Sequence, residues 1–273
     1  MDRPPRAPFV AVVTGASSGI GAATARRLAR EPGASLVLIA RREERLRVLA
    51  DELGGAMVIA LDLTAADAPA RVAEMLEREH GALHLLVNNA GAAWRGPFAD
   101  GGWENIRRNM EVNFEAPVRL TEALLPLLRR TAAGGAARVA VVNVSSTSGR
   151  LARANSGGYS ASKFAFSGWS DALALEEREH GVHVGLVLPG FVATEGFPQQ
   201  DLVDRAATRW LVSRPEVVAE AILDAGPGGK PERYVPRAYW LAAVARILLP
   251  GAVRRVTRPG GLVSPTPPAP PQR

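Results

Sequence analysis

A short apolar run, Phe9–Val13, passes directly into Thr14-Gly15-Ala16-Ser17-Ser18-Gly19-Ile20-Gly21 and from there into a helical period over Gly21–Arg30. This junction limits the possible folds more than any other stretch of the chain. A strand that turns sharply into a helix needs a residue without a Cβ, and Gly15 supplies it. Gly19 lets the backbone approach a diphosphate, while Gly21 lets the helix pack closely on the strand. The helix start adds unpaired N–H groups and a partial positive charge, both suited to an anion. Glycine-rich turns are common; a place after the first strand and at the head of the first helix marks this one as a dinucleotide site.

The alternation continues along the chain. Ser35–Ala40, Ala56–Leu61, Leu83–Val87, Ala137–Ser145 and Val182–Leu188 are continuous runs of Val, Leu, Ile and Ala, as expected of strands buried on both faces. Helical periods cover Glu43–Leu53, Ala66–His80, Trp103–Arg130 and Tyr159–His180. Such spacing predicts an α/β chain: a doubly wound parallel sheet of about seven strands with helices on both faces. Its 273 residues suffice for one large domain, placed at 1–235, with an apolar and basic helical extension over 236–258. Six prolines among the last fifteen residues predict a disordered tail over 259–273.

Several functions are disfavoured. The chain has no cysteine, which removes disulfides, thiolate metal sites and a cysteine nucleophile and fits a reducing, cytoplasmic setting. The histidines show no ligand-like grouping, so no metal is expected. The N-terminal apolar run is too short for a signal-peptide core, and no run approaches a membrane span. A net charge of +6 invites a nucleic-acid reading. However, residues 230–273 hold eight basic groups against one acidic group, so the main body is near neutral. No recognition element accompanies that charge, and nucleic acid is not expected as a partner.

Further motifs follow in order: Asn88-Asn89-Ala90-Gly91 after the fourth strand, Asn113 in Met110-Glu111-Val112-Asn113, Asn143-Val144-Ser145-Ser146 at the end of the fifth, Tyr159-Ser160-Ala161-Ser162-Lys163, and Pro189-Gly190-Phe191-Val192-Ala193-Thr194. With Thr14-Gly15-x-x-x-Gly19-x-Gly21, they resemble the short-chain dehydrogenase/reductase family over roughly residues 9–195. The resemblance implies a Rossmann fold and a nicotinamide cofactor held by Gly15, Ser17, Ser18, Gly19, Ile20, Gly21, Arg41, Arg42, Asp62, Leu63, Asn89, Ala90, Gly91, Tyr159, Lys163, Pro189, Gly190, Val192 and Thr194. By the same resemblance Asp62 meets the adenine amino group and Ser146 holds the substrate oxygen. Asn113 keeps a proton-relay water, and Lys163 hydrogen-bonds the nicotinamide ribose.

The end of the second strand bears on cofactor choice. A carboxylate there accepts hydrogen bonds from the ribose 2′-OH and repels a 2′-phosphate. Here the chain reads Leu38-Ile39-Ala40-Arg41-Arg42, with Ala40 where that carboxylate would stand. Arginine forks suit a phosphate, so NADP(H) is expected over NAD(H). Surface pairing of Arg41 and Arg42 with Glu43 and Glu44 is the competing reading. A basic residue inside the glycine turn would strengthen the NADP reading, but that position is Ser18.

Hydride transfer to a carbonyl leaves an alkoxide that needs a proton. A tyrosine with its ordinary pKa near 10 is a poor base at neutral pH, and a nearby cation stabilises its phenolate. Tyr159 and Lys163 are four residues apart and share a helix face. An ordinary exposed Tyr–Lys pair would look the same in sequence. Lys163 and Lys230 are nevertheless the only lysines among 33 basic residues, so an ammonium at this position is a selective feature. Ser145 and Ser148 compete with Ser146 but fall at other spacings from the tyrosine.

Phe197, Leu202, Val203, Trp210, Leu211 and Val212 predict a mostly apolar substrate lid over about 195–214, with Trp94 and Phe98 on the opposite wall. This favours a hydrophobic ketone, aldehyde or alcohol. The segment 237–258 joins Tyr239-Trp240 to an apolar run and Arg246, Arg254, Arg255 and Arg258. It fits a helix lying in a membrane interface, a subunit contact, or a cover over the substrate entrance. The family resemblance implies a homodimer or homotetramer. The expected activity is NADP(H)-dependent oxidoreduction, against the alternative of a non-catalytic NADP-binding sensor or scaffold of the same fold. An epimerase or dehydratase would be expected to carry a different glycine spacing and a longer substrate domain.

Overall fold

The computed structural model describes residues 9–136, 138–195 and 211–257. Seven parallel strands form one sheet: β1 (Phe9–Thr14), β2 (Ala34–Ala40), β3 (Met57–Ala60), β4 (Leu85–Asn88), β5 (Val139–Val144), β6 (Val182–Pro189) and, later in the chain, β9 (Glu232–Val235). A separate two-stranded sheet pairs β7 (Phe191–Val192) with β8 (Val212–Ser213). The main order is β3-β2-β1-β4-β5-β6-β9. The chain runs outward from β1 on one side through β2 and β3, then returns to lay β4 against the other side of β1. Loops leaving the carboxyl ends of β1 and β4 therefore diverge, and the crevice between them is where such sheets bind ligands.

The strands form because their side chains are buried on both faces; all six residues of β5 are buried. Helices α1 (Gly19–Leu28), α2 (Glu43–Glu52) and α7 (Pro215–Ala225) cover one face with Leu28, Leu46 and Ile222. Helices α3 (Ala68–Glu79), α5 (Ala116–Ala133) and α6 (Gly157–Glu176) cover the other with Leu76, Leu120, Leu124 and Leu173. A polar ladder crosses the second core. Asn88 Nδ2 donates to Thr121 Oγ1 and Asn143 Oδ1, each at 2.9 Å, and Asn143 Nδ2 donates to Ser170 Oγ at 2.8 Å. These bonds remove most of the penalty for burying amides beneath the site.

The single helix expected over Trp103–Arg130 is divided. Helix α4 (Phe98–Met110) bends at Gly102, just before Trp103, where φ is 49°. A π-helical turn (Glu111–Glu115) then carries Asn113 before α5 begins. Helix α7, strand β9 and the two short strands β7 and β8 escaped the sequence reading. The chain ends in α8 (Tyr239–Leu248) and α9 (Pro250–Thr257), while the tail expected over 259–273 lies outside the described residues. No helix among the described residues is long and apolar enough to cross a membrane.

Gly185 in β6 lets the sheet approach the C-terminal end of α7 closely. A Cβ there would come within 2.1 Å of the Ala225 carbonyl oxygen. Gly185→Ala is expected to destabilise the protein by about 2 kcal/mol through overpacking. Denaturant titration checks this, and unchanged stability would show that α7 is loosely seated.

Candidate active site

The glycine turn has the predicted backbone. Gly15 and Gly19 hold φ values of 66° and 53°, in the left-handed region open to glycine. A Cβ on Gly15 would fall 2.9 Å from Ala90 Cα. One on Gly21 would fall 2.3 Å from the Gly15 carbonyl oxygen. Gly21 therefore does not line the cleft; it lets α1 seat against the turn. Ser18, at the helix start, makes no side-chain cap, which leaves the first N–H groups available to an anion.

Thr14 ties this turn to the Asn88-Asn89-Ala90-Gly91 segment. Its hydroxyl donates to Val87 O at 3.1 Å and accepts from the amides of Asn89 at 2.9 Å and Ala90 at 3.0 Å. Asn89 Nδ2 returns a bond to Thr14 O at 2.9 Å. Between the two segments opens a cleft of about 510 Å³ whose walls include Gly15, Ser17, Ser18, Gly19, Ile20, Ala90, Gly91 and Thr194.

At its far end lie Ala40, Arg41, Arg42, Asp62 and Leu63. Arg42 reaches back over the turn. Its Nε donates to Ser17 Oγ at 3.2 Å, and one terminal nitrogen donates to Ser18 Oγ at 2.7 Å. The guanidinium missing from position 18 is thus supplied from the end of β2. Arg41 stands 3.8 Å from Asp62 and Arg42 3.8 Å from Glu195, and among the described residues neither forms the competing ion pair with Glu43 or Glu44. Asp62 accepts bonds from the Thr64 amide and hydroxyl at 3.0 and 2.8 Å, which help hold its carboxyl below the usual range.

A second pocket, about 140 Å³, shares Ile20, Asn89, Gly91 and Thr194 with the cleft. It gathers Asn113, Ser146, Tyr159 and Lys163 with Pro189, Gly190 and Val192. Lys163 is buried; its Nζ donates to Val144 O at 3.0 Å, and burial pushes its pKa down to about 8. Ser146 Oγ accepts the Ser148 amide at 3.1 Å. Ser145 is committed elsewhere, to Lys163 O at 3.1 Å and Ser167 Oγ at 2.8 Å. The π turn aims Asn113 at the loop after β4, where Oδ1 accepts Ala92 N at 2.9 Å and Nδ2 donates to Ala92 O at 2.8 Å.

Two charged pocket residues were missed, Arg95 and Arg153. The Arg95 guanidinium carbon lies 5.7 Å from the Tyr159 ring centre, and that of Arg153 lies 4.8 Å from the Phe191 ring centre. Their only sequence signal was position, in loops that follow β4 and β5 at the carboxyl end of the sheet. Trp94 lines the cofactor cleft instead, with the Arg108 guanidinium 4.6 Å from its ring centre. Phe98 does not line either pocket: it opens α4 and is 73% exposed. Of the expected lid, Phe197, Leu202, Val203 and Trp210 lie outside the described residues. Leu211 and Val212 lie within them, and Leu211 accepts a 3.0 Å bond from the Tyr239 hydroxyl.

Residues 9–202 match the family described as short chain dehydrogenase. The chain is 36% identical over 206 residues to a short chain dehydrogenase of Pseudocercospora fijiensis, covering 72% of this chain and 64% of that protein. It therefore spans less than two thirds of that relative's length. It is also 36% identical over 222 residues to a cis-4-hydroxycyclohexanecarboxylate dehydrogenase of Sinomonas cyclohexanicum, covering 78% of this chain and 87% of that one. A short chain dehydrogenase from Shigella flexneri, solved in complex with NADP, superposes with a TM-score of 0.72 at 28% identity, covering 83% of this chain and 95% of that one.

The buried lysine leaves a thermodynamic signature. With its folded pKa near 8 and an unfolded value near 10.5, the unfolded chain binds more protons between those limits. Stability contributed at this site should therefore rise with pH from about 8 to 10.5, while below 8 the burial cost is present in full. Thermal unfolding of the cofactor-free protein and Lys163→Met across this window checks it. Wild type should gain on the variant as pH rises; a constant difference would show that the ammonium is solvated.

Proposed function

This chain belongs to the short-chain dehydrogenase/reductase family, and we propose that it is an NADP(H)-dependent oxidoreductase interconverting a ketone or aldehyde with an alcohol on a largely hydrophobic substrate. The observation that carries the reading is the gathering of Ser146, Tyr159 and Lys163 in a pocket that shares a wall with the glycine-turn cleft. The cleft fits a dinucleotide: added Cβ atoms would fill the cradle at Gly15 and Gly19, and the start of α1 presents N–H groups to a diphosphate. Gly19, Ile20, Asn89 and Ala90 would hold the cofactor's middle. Arg42, braced by Ser17 and Ser18, would receive a 2′-phosphate, and Ala40 offers no repelling carboxylate. The NADP in the Shigella relative supports the same preference.

When bound, the nicotinamide supplies or accepts a hydride at the carbon that changes oxidation state. The protein handles the oxygen. The Ser146 hydroxyl donates a hydrogen bond to the substrate oxygen, orienting it toward Tyr159. The Tyr159 hydroxyl gives its proton to that oxygen during reduction and takes one back during alcohol oxidation. Lys163, an ammonium below pH 8, and Arg95 surround this exchange with positive charge that favours the developing oxyanion. Asn113 holds the Ala92 loop that forms the pocket's outer wall.

Pairing of two or four copies is the assembly that fits this reading, supported by Phe164 and Leu175 on α6, which stand 43% and 77% exposed. The outer side of α8, with exposed Trp240, Ile247 and Leu248 beside Arg254 and Arg255, supports peripheral contact with an anionic membrane. Salt-sensitive pelleting with phosphatidylserine vesicles is expected for wild type and not for an Arg254→Glu/Arg255→Glu variant. Equal pelleting of both would remove the membrane contact.

Two substitutions test the chemistry. Tyr159→Phe should lower NADPH-dependent carbonyl reduction by roughly a hundredfold to ten-thousandfold with NADPH affinity retained. Unchanged turnover would refute the proton role. Arg42→Gln should weaken NADPH binding by roughly tenfold to a hundredfold while NADH binding changes little. Equal loss for both cofactors would remove Arg42 as the phosphate contact.

A further inference from the structure

Arg150 and Arg153 lie three residues apart on the segment after β5, in opposite circumstances. Arg150 donates to Asp171 at 3.1 Å and Glu232 at 2.8 Å, so two carboxylates answer its charge. Arg153 lies in the pocket interior, and among the described residues no carboxylate pairs with it. Among the described residues its hydrogen-bond and ring contacts are one long bond to Ser148 Oγ at 3.4 Å and the face of Phe191. Five N–H donors on a fixed fork are thus served by one weak acceptor and a ring. A cation–π contact recovers only part of the cost of taking a guanidinium out of water. Burial and the neighbouring Arg95 charge both hold Arg153 below the usual arginine range, partly offset by the Tyr159 and Tyr239 oxygens.

The position of this cation is equally specific. Arg153 and Phe191 line the 140 Å³ catalytic pocket on one side. On the other they line a cavity of about 340 Å³ roofed by α8 and α9, with Leu211, Tyr239, Ala242 and Leu249 in its walls. The cavity surface is mostly hydrocarbon; its polar side chains are Arg153, the carboxylate-paired Arg150, Thr147, Thr257, Tyr234 and Tyr239, whose hydroxyl is bonded to Leu211 O. A molecule whose reacting oxygen sits at Ser146 and Tyr159 meets a positive charge first and a hydrocarbon-lined space beyond it.

We propose that the substrate is a carboxylic acid with an apolar body: Arg153 receives the carboxylate, and the hydrocarbon part occupies the cavity beneath the C-terminal helices. A single negative charge matches Arg153: of the two arginines in the cavity wall, Arg150 is answered by Asp171 and Glu232, whereas among the described residues no carboxylate answers Arg153. A cationic amphiphile is disfavoured by the same charge, and a neutral ketone would leave the fork unanswered while filling the cavity. The proposal deepens the oxidoreductase reading and rests on it for the position of the carbonyl.

The test uses the full-length protein with NADPH and three ketones of equal chain length: 4-oxodecanoate, its methyl ester and 4-decanone. Wild type should favour the acid by about tenfold or more in kcat/KM. Arg153→Gln should remove that preference, lowering the acid-to-ketone ratio of kcat/KM to about one, chiefly through a raised KM for the acid. Arg153→Lys should restore part of it, since the charge returns without the fork. Ala242→Phe, which narrows the cavity, should impair 4-oxodecanoate and spare 4-oxopentanoate.

Decanoate, which has no ketone, supplies a readout independent of turnover. In the presence of NADP it should raise the melting temperature of wild type and not that of Arg153→Gln. Equal use of acid, ester and ketone by wild type would overturn the proposal and leave the oxidoreductase reading intact. Equal losses on all three substrates in Arg153→Gln would do the same. Arg153-dependent stabilisation by decanoate without turnover of any carbonyl would instead uphold the acid site and refute the oxidoreductase reading. Absence of both decanoate binding and acid preference would overturn the proposal outright.

Discussion

Two facing ends of the sheet, β1 and β4, are held together by one hydroxyl. Thr14 Oγ1 donates to Val87 O and accepts the amides of Asn89 and Ala90. At this point the chain's two halves leave in opposite directions, so nothing in the ladder beyond Val13 and Val87 fixes their separation. The threonine and the returning Asn89 amide set that separation, and with it the width of the cleft. Gly15 must then pass within 2.9 Å of Ala90 Cα if a Cβ is imagined on it, which only glycine allows. Downstream, Gly91 places Asn113 Oδ1 2.9 Å and Lys163 Nζ 3.7 Å from where its own Cβ would be. Cofactor cleft and catalytic pocket therefore share a wall whose position follows from one side-chain clamp.

Much of this arrangement was legible in the sequence because it depends on local backbone demands. Left-handed φ at Gly15 and Gly19, and two-sided burial of β1 and β5, leave marks in residue type. The elements that escaped depend on distant partners. Glu232-Arg233-Tyr234-Val235 carries three polar residues and becomes a strand because it pairs at the edge with β6. The break between α4 and α5 is a π turn that brings Asn113 to Ala92, and a continuous helical period conceals it. Phe98 illustrates the converse error. An aromatic after a motif was read as a wall, yet its helix opens outward and leaves it exposed.

Arginine explains why the charge pattern was the least readable feature. Several arginines form exposed pairs such as Arg26 with Glu52 and Arg107 with Glu104, whose individual contributions to stability are small. Arg42 and Arg153 look the same in sequence. They differ in what surrounds them: hydroxyls of the glycine turn, with Glu195 3.8 Å away, for Arg42, and an aromatic face for Arg153. The lysine is different in kind. A compact ammonium can reach the carboxyl end of β5 beside Gly91 and bond the Val144 carbonyl, where a planar fork would leave more donors unanswered.

The C-terminal helices are coupled to the site through Gly190. A Cβ on that residue would overlap the Tyr239 ring, at 1.8 Å from its nearest carbon, so the ring lies directly on the backbone that closes the catalytic pocket. The Tyr239 hydroxyl meanwhile holds Leu211 O at the entrance to β8. One aromatic side chain from α8 thus fixes the floor of the cavity, the strand following the expected lid and the segment carrying Val192. Helix α8 has no fully buried residue, and its half-buried Tyr239, Ala242, Ala243 and Ala245 line the cavity. A ligand filling that cavity would therefore bury the inner face of α8 and stabilise it by mass action.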